Sequence, residues 1–147
     1  MIGRAAAIAM GTAFAVLSTP AAAPVNFSGT WTVSASAIEG RSPNGGTWRR
    51  SAITTDMVLE QSGDALTGSW TGLRGEIWRL SGRAHDTAFE VESERRELRN
   101  AGRDAAAFRW RIRGSVDGDR MHGTLFFERD GDDEERPQPF TATRRRS

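Results

Sequence analysis

Apolar and polar residues alternate along most of the chain, and this pattern predicts an all-β protein. In the clearest segment, 108–116, aromatic, aliphatic and glycine residues occupy every second position, and mainly arginines lie between them. A strand with one buried and one solvated face has this period of two. The same test predicts eight strands, at residues 27–34, 53–59, 66–70, 78–82, 89–92, 108–116, 121–127 and 140–142.

A short Gly-Asp repeat marks two of the connections between these strands. Gly63-Asp64 and Gly118-Asp119 are each followed, three residues after the glycine, by the apolar residue that restarts the alternation. Glycine adopts positive φ readily and aspartate hydrogen-bonds to its own backbone, and both properties suit a tight hairpin turn. The chain is therefore predicted to be organised as hairpins.

The short connections allow consecutive strands to pair, which predicts a single eight-stranded antiparallel up-and-down barrel. Closing the sheet leaves no free strand edge. Glycines on the buried face indicate tight bends or close backbone approach, because a glycine inside a strand otherwise costs stability. Five glycines share the apolar face: Gly29, Gly68, Gly82, Gly114 and Gly123. A two-sheet β-sandwich is the alternative architecture.

The first residues have the composition of an export signal. Arg4 precedes an uncharged, alanine-rich run at 5–17, and small residues suited to signal peptidase follow at 18–23. The run is shorter than the ~20 residues of a membrane-spanning helix, so no span is expected after cleavage. The sequence thus predicts a signal peptide at 1–23, with its cleavage site left open, and one domain at 24–147 in the periplasm or outside the cell.

Charge excludes some partner classes. Loss of Arg4 turns 20 basic and 19 acidic residues into 19 and 19. Nucleic-acid-binding proteins concentrate a basic excess on one face, whereas arginine and acidic residues are interspersed here, so no nucleic-acid partner is predicted. An outer-membrane barrel is disfavoured because its aromatic girdles are rich in tyrosine, which this chain lacks. There is no cysteine for a disulfide.

Two short motifs at the ends of the domain resemble the calycin pattern, lipocalins above all. They are Gly29-Thr30-Trp31 in the first strand and Phe140 to Arg144 in the last. The chain from Phe27 to Arg144 is similar to a small secreted bacterial lipocalin-like module. The resemblance implies that these two strands meet as the barrel closes, with Trp31 packed beneath Arg144 through cation–π and packing contacts.

No residue set predicts catalysis, a metal or a cofactor. The two histidines, His85 in a predicted turn and His122 on an outer face, are interpreted as ordinary surface residues. The acidic segment 130–135 does not have the spacing of an EF-hand and is interpreted as a solvated loop. The chain is therefore predicted not to be an enzyme.

Binding of a small apolar or amphipathic ligand is the leading functional hypothesis. An eight-stranded barrel is either filled by its own side chains or holds one small ligand. The candidate wall residues are Trp70, Trp78, Phe108 and Trp110, and the loop at 37–50, with Trp48, is a candidate lid over one barrel mouth.

The alternative is a protein-interaction or inhibitor-like module with a filled core and an envelope or extracellular partner. An outward row of arginines, Arg109, Arg111 and Arg113, is the candidate surface for an acidic partner. Cross-strand pairing with Glu90 and Glu92 accounts for the same row without any partner.

Overall fold

The computed structural model describes residues 25–97, 106–132 and 135–146. The chain within these ranges is all-β. Its eleven strands are β1 (Gly29–Ala35), β2 (Ile38–Arg41), β3 (Thr47–Arg50), β4 (Ile53–Ser62), β5 (Ala65–Thr71), β6 (Ile77–His85), β7 (Ala88–Ser93), β8 (Arg96–Glu97), β9 (Ala107–Asp117), β10 (Arg120–Arg129) and β11 (Gln138–Arg144).

Eight of the strands close into an antiparallel up-and-down barrel. Their order around the barrel is β1-β4-β5-β6-β7-β9-β10-β11, and β11 pairs with β1 to complete the circle. Each of the eight predicted segments corresponds to one of these strands, so the predicted barrel is confirmed and the sandwich is not adopted. The architecture is compatible with a calycin-like fold.

Three short strands were not predicted. β2 and β3 form a separate hairpin within the segment that was expected to be a loop. They offer few apolar residues, so the period of two is hard to detect there. β8 pairs with β9 beyond β7, after a one-residue shift of register at Ser93–Arg95. The Ser93 hydroxyl accepts a hydrogen bond from the Trp110 backbone N–H at 2.8 Å, which bridges this bulge.

The predicted turns are confirmed. Gly63 and Gly118 have φ of 62° and 60°, and each begins a two-residue connection between paired strands. Asp86, in the third predicted turn, also has positive φ, at 54°. The aspartate tolerates this conformation better than most residues because its short side chain can hydrogen-bond locally.

The inward glycines mark places where neighbouring backbones approach closely, as predicted. A Cβ atom on Gly68 would lie 1.8 Å from the Val58 carbonyl oxygen, and one on Gly114 would lie 2.4 Å from the His122 carbonyl oxygen. No side chain fits at such distances. The bent strands therefore require glycine at these positions.

The core fills the inside of the barrel. Trp31, Trp70 and Trp78 are fully buried, and aliphatic residues from all eight strands pack around them. Within the described ranges, no helix is long and apolar enough to cross a membrane. The predicted signal peptide at 1–23 lies outside the described residues, as do residues 98–105.

Candidate functional site

The four candidate wall residues come together inside the barrel with one further ring, Phe127; these five residues are the aromatic cluster. Trp70 lies 5.2 Å from Trp110 between ring centroids. Phe127 contacts three of the rings, at centroid distances of 4.7 Å to Trp110, 5.0 Å to Phe108 and 6.4 Å to Trp78. Phe127 is not among the candidate wall residues named from the sequence, although it lies directly opposite Trp110 on the neighbouring strand.

These rings pack against each other and leave little enclosed space. The cavity beside them measures about 20 Å³ and is lined in part by Trp110, Leu125, Phe127 and Gln138. That volume suits about one water molecule, whereas a small organic ligand needs a few hundred Å³. The five inward glycines carry no side chain, but neighbouring backbone occupies the space beside four of them. Beside the aromatic cluster, the described residues therefore leave no ligand-sized space in this conformation, and binding of a small ligand inside the barrel stays a prediction.

Two polar groups of the cluster have no hydrogen-bond partner. The indole N–H groups of Trp70 and Trp110 are buried and unpaired in the described part of the chain. A buried unpaired donor costs roughly 1–3 kcal/mol. Both donors lie within a cluster otherwise held by ring packing, so it is shape, and not hydrogen bonding, that fixes these two side chains.

The β2–β3 hairpin is fastened to the barrel near the aromatic cluster. The Arg50 guanidinium donates to the Phe127 carbonyl oxygen at 2.8 Å, and its central carbon lies 5.5 Å from the Phe127 ring centroid. The buried Gln138 amide donates to the carbonyl oxygens of Ser36 and Ser51, at 3.0 Å and 2.9 Å. The hairpin thus adjoins one mouth of the barrel, near the position expected for a lid.

Trp48, the residue expected to contribute to that lid, does not join the aromatic cluster. Its half-buried ring lies against Gly40 on the paired strand, where an added Cβ would be 2.5 Å from the ring. The tryptophan packs within its own hairpin, so the structure separates it from the four wall residues.

At the opposite end of the barrel, Trp31 and Arg144 make the contact that the calycin resemblance implies. The guanidinium carbon of Arg144 lies 4.5 Å from the Trp31 ring centroid. The indole of Trp31 donates to the Phe27 carbonyl oxygen at 3.0 Å, and Arg144 pairs with Asp119 at 3.1 Å. Gly29, with φ of 136°, lies beside the Arg144 side chain. These contacts join the first and last strands of the barrel.

On the outer face, the predicted arginine row is paired with the predicted glutamates. Arg109 lies 3.3 Å from Glu92, and Arg111 lies 3.8 Å from Glu90. Glu128 on β10, which was not predicted to take part, joins both arginines at 2.9 Å and 2.7 Å. Cross-strand pairing therefore neutralises Arg109 and Arg111 within the molecule.

Arg113, the third member of the row, is held differently. Its guanidinium carbon lies 5.0 Å from the centroid of Phe126, whose outward-facing ring is buried beneath Arg111 and Arg113. No carboxylate lies within 4.0 Å of Arg113 in the described part of the chain. Phe126 was not singled out from the sequence, although in the pair Phe126-Phe127 one ring of the two must face outward.

The ion pairs set the charge of Glu128 firmly. Partial burial raises the pKa of this carboxyl, but hydrogen bonds and charges from Arg111 and Arg109 outweigh burial, so the pKa is lowered overall. Partial burial likewise lowers the pKa of Arg111, and the hydrogen bond and charge of Glu128 reverse the shift, so it ends raised. Glu128 thus stays ionised where it holds the two arginines.

No family model, no curated protein and no solved structure matches this chain.

The residues weighed for metal or catalytic chemistry lie apart. His85 is exposed beside Asp86 at 3.4 Å in a turn, and His122 is exposed on the outer face of β10. Among the described residues, no three histidine, aspartate or glutamate side chains gather where they could hold a metal ion. Asp133 and Glu134 of the acidic segment lie outside the described residues.

Replacing Glu128 with glutamine is expected to lower the free energy of unfolding at pH 7 by about 1 kcal/mol, because two arginines lose their shared carboxylate. A lowered folded-state pKa gives stability that is present above the unfolded-state pKa and is lost as pH falls through the folded-state value. As the pH falls below about 4.5, the free energy of unfolding should therefore decrease less in the variant than in wild type. Urea unfolding across this range measures both effects.

The matched control for this substitution is Glu60→Gln, at an exposed outward position on β4. It should change stability at pH 7 by less than about 0.5 kcal/mol. Equal losses in the two variants, or identical pH profiles for Glu128→Gln and wild type, would contradict the role given to Glu128.

Proposed function

We propose that this protein is an exported, non-catalytic binding module of lipocalin-like architecture that binds a protein partner through its outer surface. One observation carries the proposal: the described residues fill the barrel interior with their own side chains, and the cavity beside the aromatic cluster measures about 20 Å³. A module whose interior is filled by its own side chains would present its binding groups on the outside.

The outer surface has the features that such a role needs. The outer faces of the strands carry arginines and glutamates. Two open grooves also lie on the outer surface: one is lined by residues of β4 to β8, and the other by residues of β6, β7, β9 and β10. One groove is floored in part by Val58 and Ile77, which are 36% and 53% exposed. Apolar residues rimmed by charge are typical of interaction surfaces.

Export is the part of the proposal that rests on the sequence at 1–23. The small residues that end the alanine-rich run support cleavage by signal peptidase. We propose a periplasmic or extracellular location, where this fold gains no stability from disulfides because the sequence has no cysteine.

Affinity capture tests the partner. The purified protein, immobilised through its amino terminus, is incubated with an envelope extract and a culture-medium extract. We expect that a protein partner is retained in stoichiometric amount. We also expect that adding fatty acids to the free protein causes no saturable change in its tryptophan emission. Saturable binding of a fatty acid at one molecule per barrel, with no protein retained, would overturn the proposal.

A further inference from the structure

A second groove, of about 420 Å³, crosses the outer face of β6, β7, β9 and β10. The strand register explains how it arises. His85 pairs with Ala88, Ala88 with Ser115, and Ser115 with His122, so these residues form one row across four strands. The two small side chains lie between the two histidines and leave a depression. The row crosses three spacings between neighbouring strands, a distance of about 14 Å perpendicular to the strands.

The bend of the barrel deepens this depression. Gly114 and Gly123 face each other directly beneath it and line the groove with backbone alone. Both positions lack room for a Cβ, since an added carbon would lie 2.4 Å or less from a neighbouring carbonyl oxygen. The glycines that permit closure of the barrel therefore also shape its outer surface.

The next row along the same strands supplies positive charge. Arg83 and Arg113 lie on either side of Glu90 in the register. Glu90 is the single carboxylate residue lining the described groove, and its oxygen lies 3.8 Å from Arg111, outside it. Arg83 has an exposed partner, Asp64, at 3.3 Å, a pair of the kind that contributes little in water.

Arg113 is the side chain of the groove that is best placed to bind a carboxylate. Its guanidinium carbon lies 5.0 Å from the Phe126 ring centroid, and Arg113 is exposed, so its N–H donors are accessible to a ligand. A planar guanidinium without a carboxylate partner suits two parallel hydrogen bonds to an incoming carboxylate. Its neighbours Arg109 and Arg111 cannot take this role, because Glu128, Glu90 and Glu92 already occupy them.

We propose that this groove binds an acidic, extended peptide segment of the protein partner, with a carboxylate of the segment paired to Arg113. The inference rests on the proposed function and names the site and the partner's chemistry. The charge of the groove favours an anionic occupant. Its breadth of about 14 Å matches about four residues of extended chain, whereas a lone inorganic anion would use a small part of it.

A fluorescein-labelled hexaglutamate peptide tests the inference by fluorescence anisotropy against the purified protein at low ionic strength. We expect saturable binding that weakens as salt is added. Arg113→Gln should weaken it about tenfold, since a charge-assisted hydrogen bond is lost. Ala88→Trp, which fills the groove without changing charge, should weaken it at least as much.

The matched control is Arg79→Gln, which removes one exposed arginine from the outer face of β6 outside the groove. It should leave the affinity within about twofold, because a distant exposed charge is screened by solvent. Equal weakening by Arg79→Gln and Arg113→Gln would reveal nonspecific attraction and overturn the inference. Equal binding of hexalysine, no binding of hexaglutamate, or displacement by equimolar inorganic phosphate would also overturn it.

The two proposals fail in distinguishable ways. A retained protein partner whose binding is unaffected by both groove variants would leave the proposed function standing and remove this site. A fatty acid bound inside the barrel would remove the proposed function, whatever hexaglutamate does.

Discussion

Replacing Trp70 with alanine is expected to lower the free energy of unfolding by about 3–5 kcal/mol, as for other large aromatic residues in a packed core. Trp70 is fully buried, lies 5.2 Å from the Trp110 ring and faces Trp78 across the β5–β6 pair. Its removal leaves a cavity that the surrounding strands cannot close, because glycine-mediated backbone contacts already fix their curvature. Denaturant unfolding measures the loss.

The same variant is also expected to bind a small aromatic molecule in the cavity left by the deleted side chain. A dry apolar cavity left by a deleted side chain binds small aromatic molecules, so indole should raise the stability of Trp70→Ala and leave wild type unchanged. Trp48→Ala, in the β2–β3 hairpin, is the control and should lose far less stability, since its half-buried ring lies outside the main core. Losses of about 1 kcal/mol or less for Trp70→Ala would contradict a filled core.

Replacing Gly68 with alanine should have the second largest effect. The added Cβ would lie 1.8 Å from the Val58 carbonyl oxygen, where backbone and not a flexible side chain must move. We expect a loss of about 3 kcal/mol or more, because overpacking here also strains the β4–β5 pairing. Soluble yield and urea unfolding measure the effect.

Thr67→Ala, at the adjacent exposed position of β5, is the control for Gly68. Its side chain faces solvent, so its stability should stay within about 0.5 kcal/mol of wild type. A Gly68→Ala protein as stable as the Thr67→Ala protein would show that the strands can separate there, and the close approach would not be required by the fold.

The sequence predicted the barrel because its strands have one wet and one dry face, and the parity of apolar residues records which side chains turn inward. The Gly-Asp turns added register, since Gly63 and Gly118 allow only short connections. The β2–β3 hairpin could not be predicted from this alternation. Its strands are four residues long, and only Ile38 and Trp48 mark a dry face.

The content of the barrel could not be predicted in the same way. Parity shows that Trp70 and Trp110 point inward, but not whether the summed volumes fill the space. The inward glycines illustrate the difficulty: each removes a side chain, yet at Gly68 the Val58 backbone occupies the vacated volume. Strand curvature decides that result, and it depends on all eight strands together.

The arginine row shows a similar division. Alternation predicted that Arg109, Arg111 and Arg113 share a face, and cross-strand pairing predicted Glu90 and Glu92 as partners. The register of β10 then decides which arginine stays available, because it brings Glu128 to the first two and Phe126 beneath the last two. The alternation within β9 does not show which side chains of β10 contact this row, and the pairing of the two strands does.

The filled interior can be tested most directly by nuclear magnetic resonance of the five tryptophan indole N–H groups in the nitrogen-15-labelled protein. During titration with a medium-chain fatty acid, the signals of Trp70, Trp78 and Trp110 should keep their positions, because their rings pack against each other and no ligand-sized space adjoins them. Saturable shifts of these three signals, at one fatty acid per molecule, would show that the barrel opens to a ligand and would contradict the account.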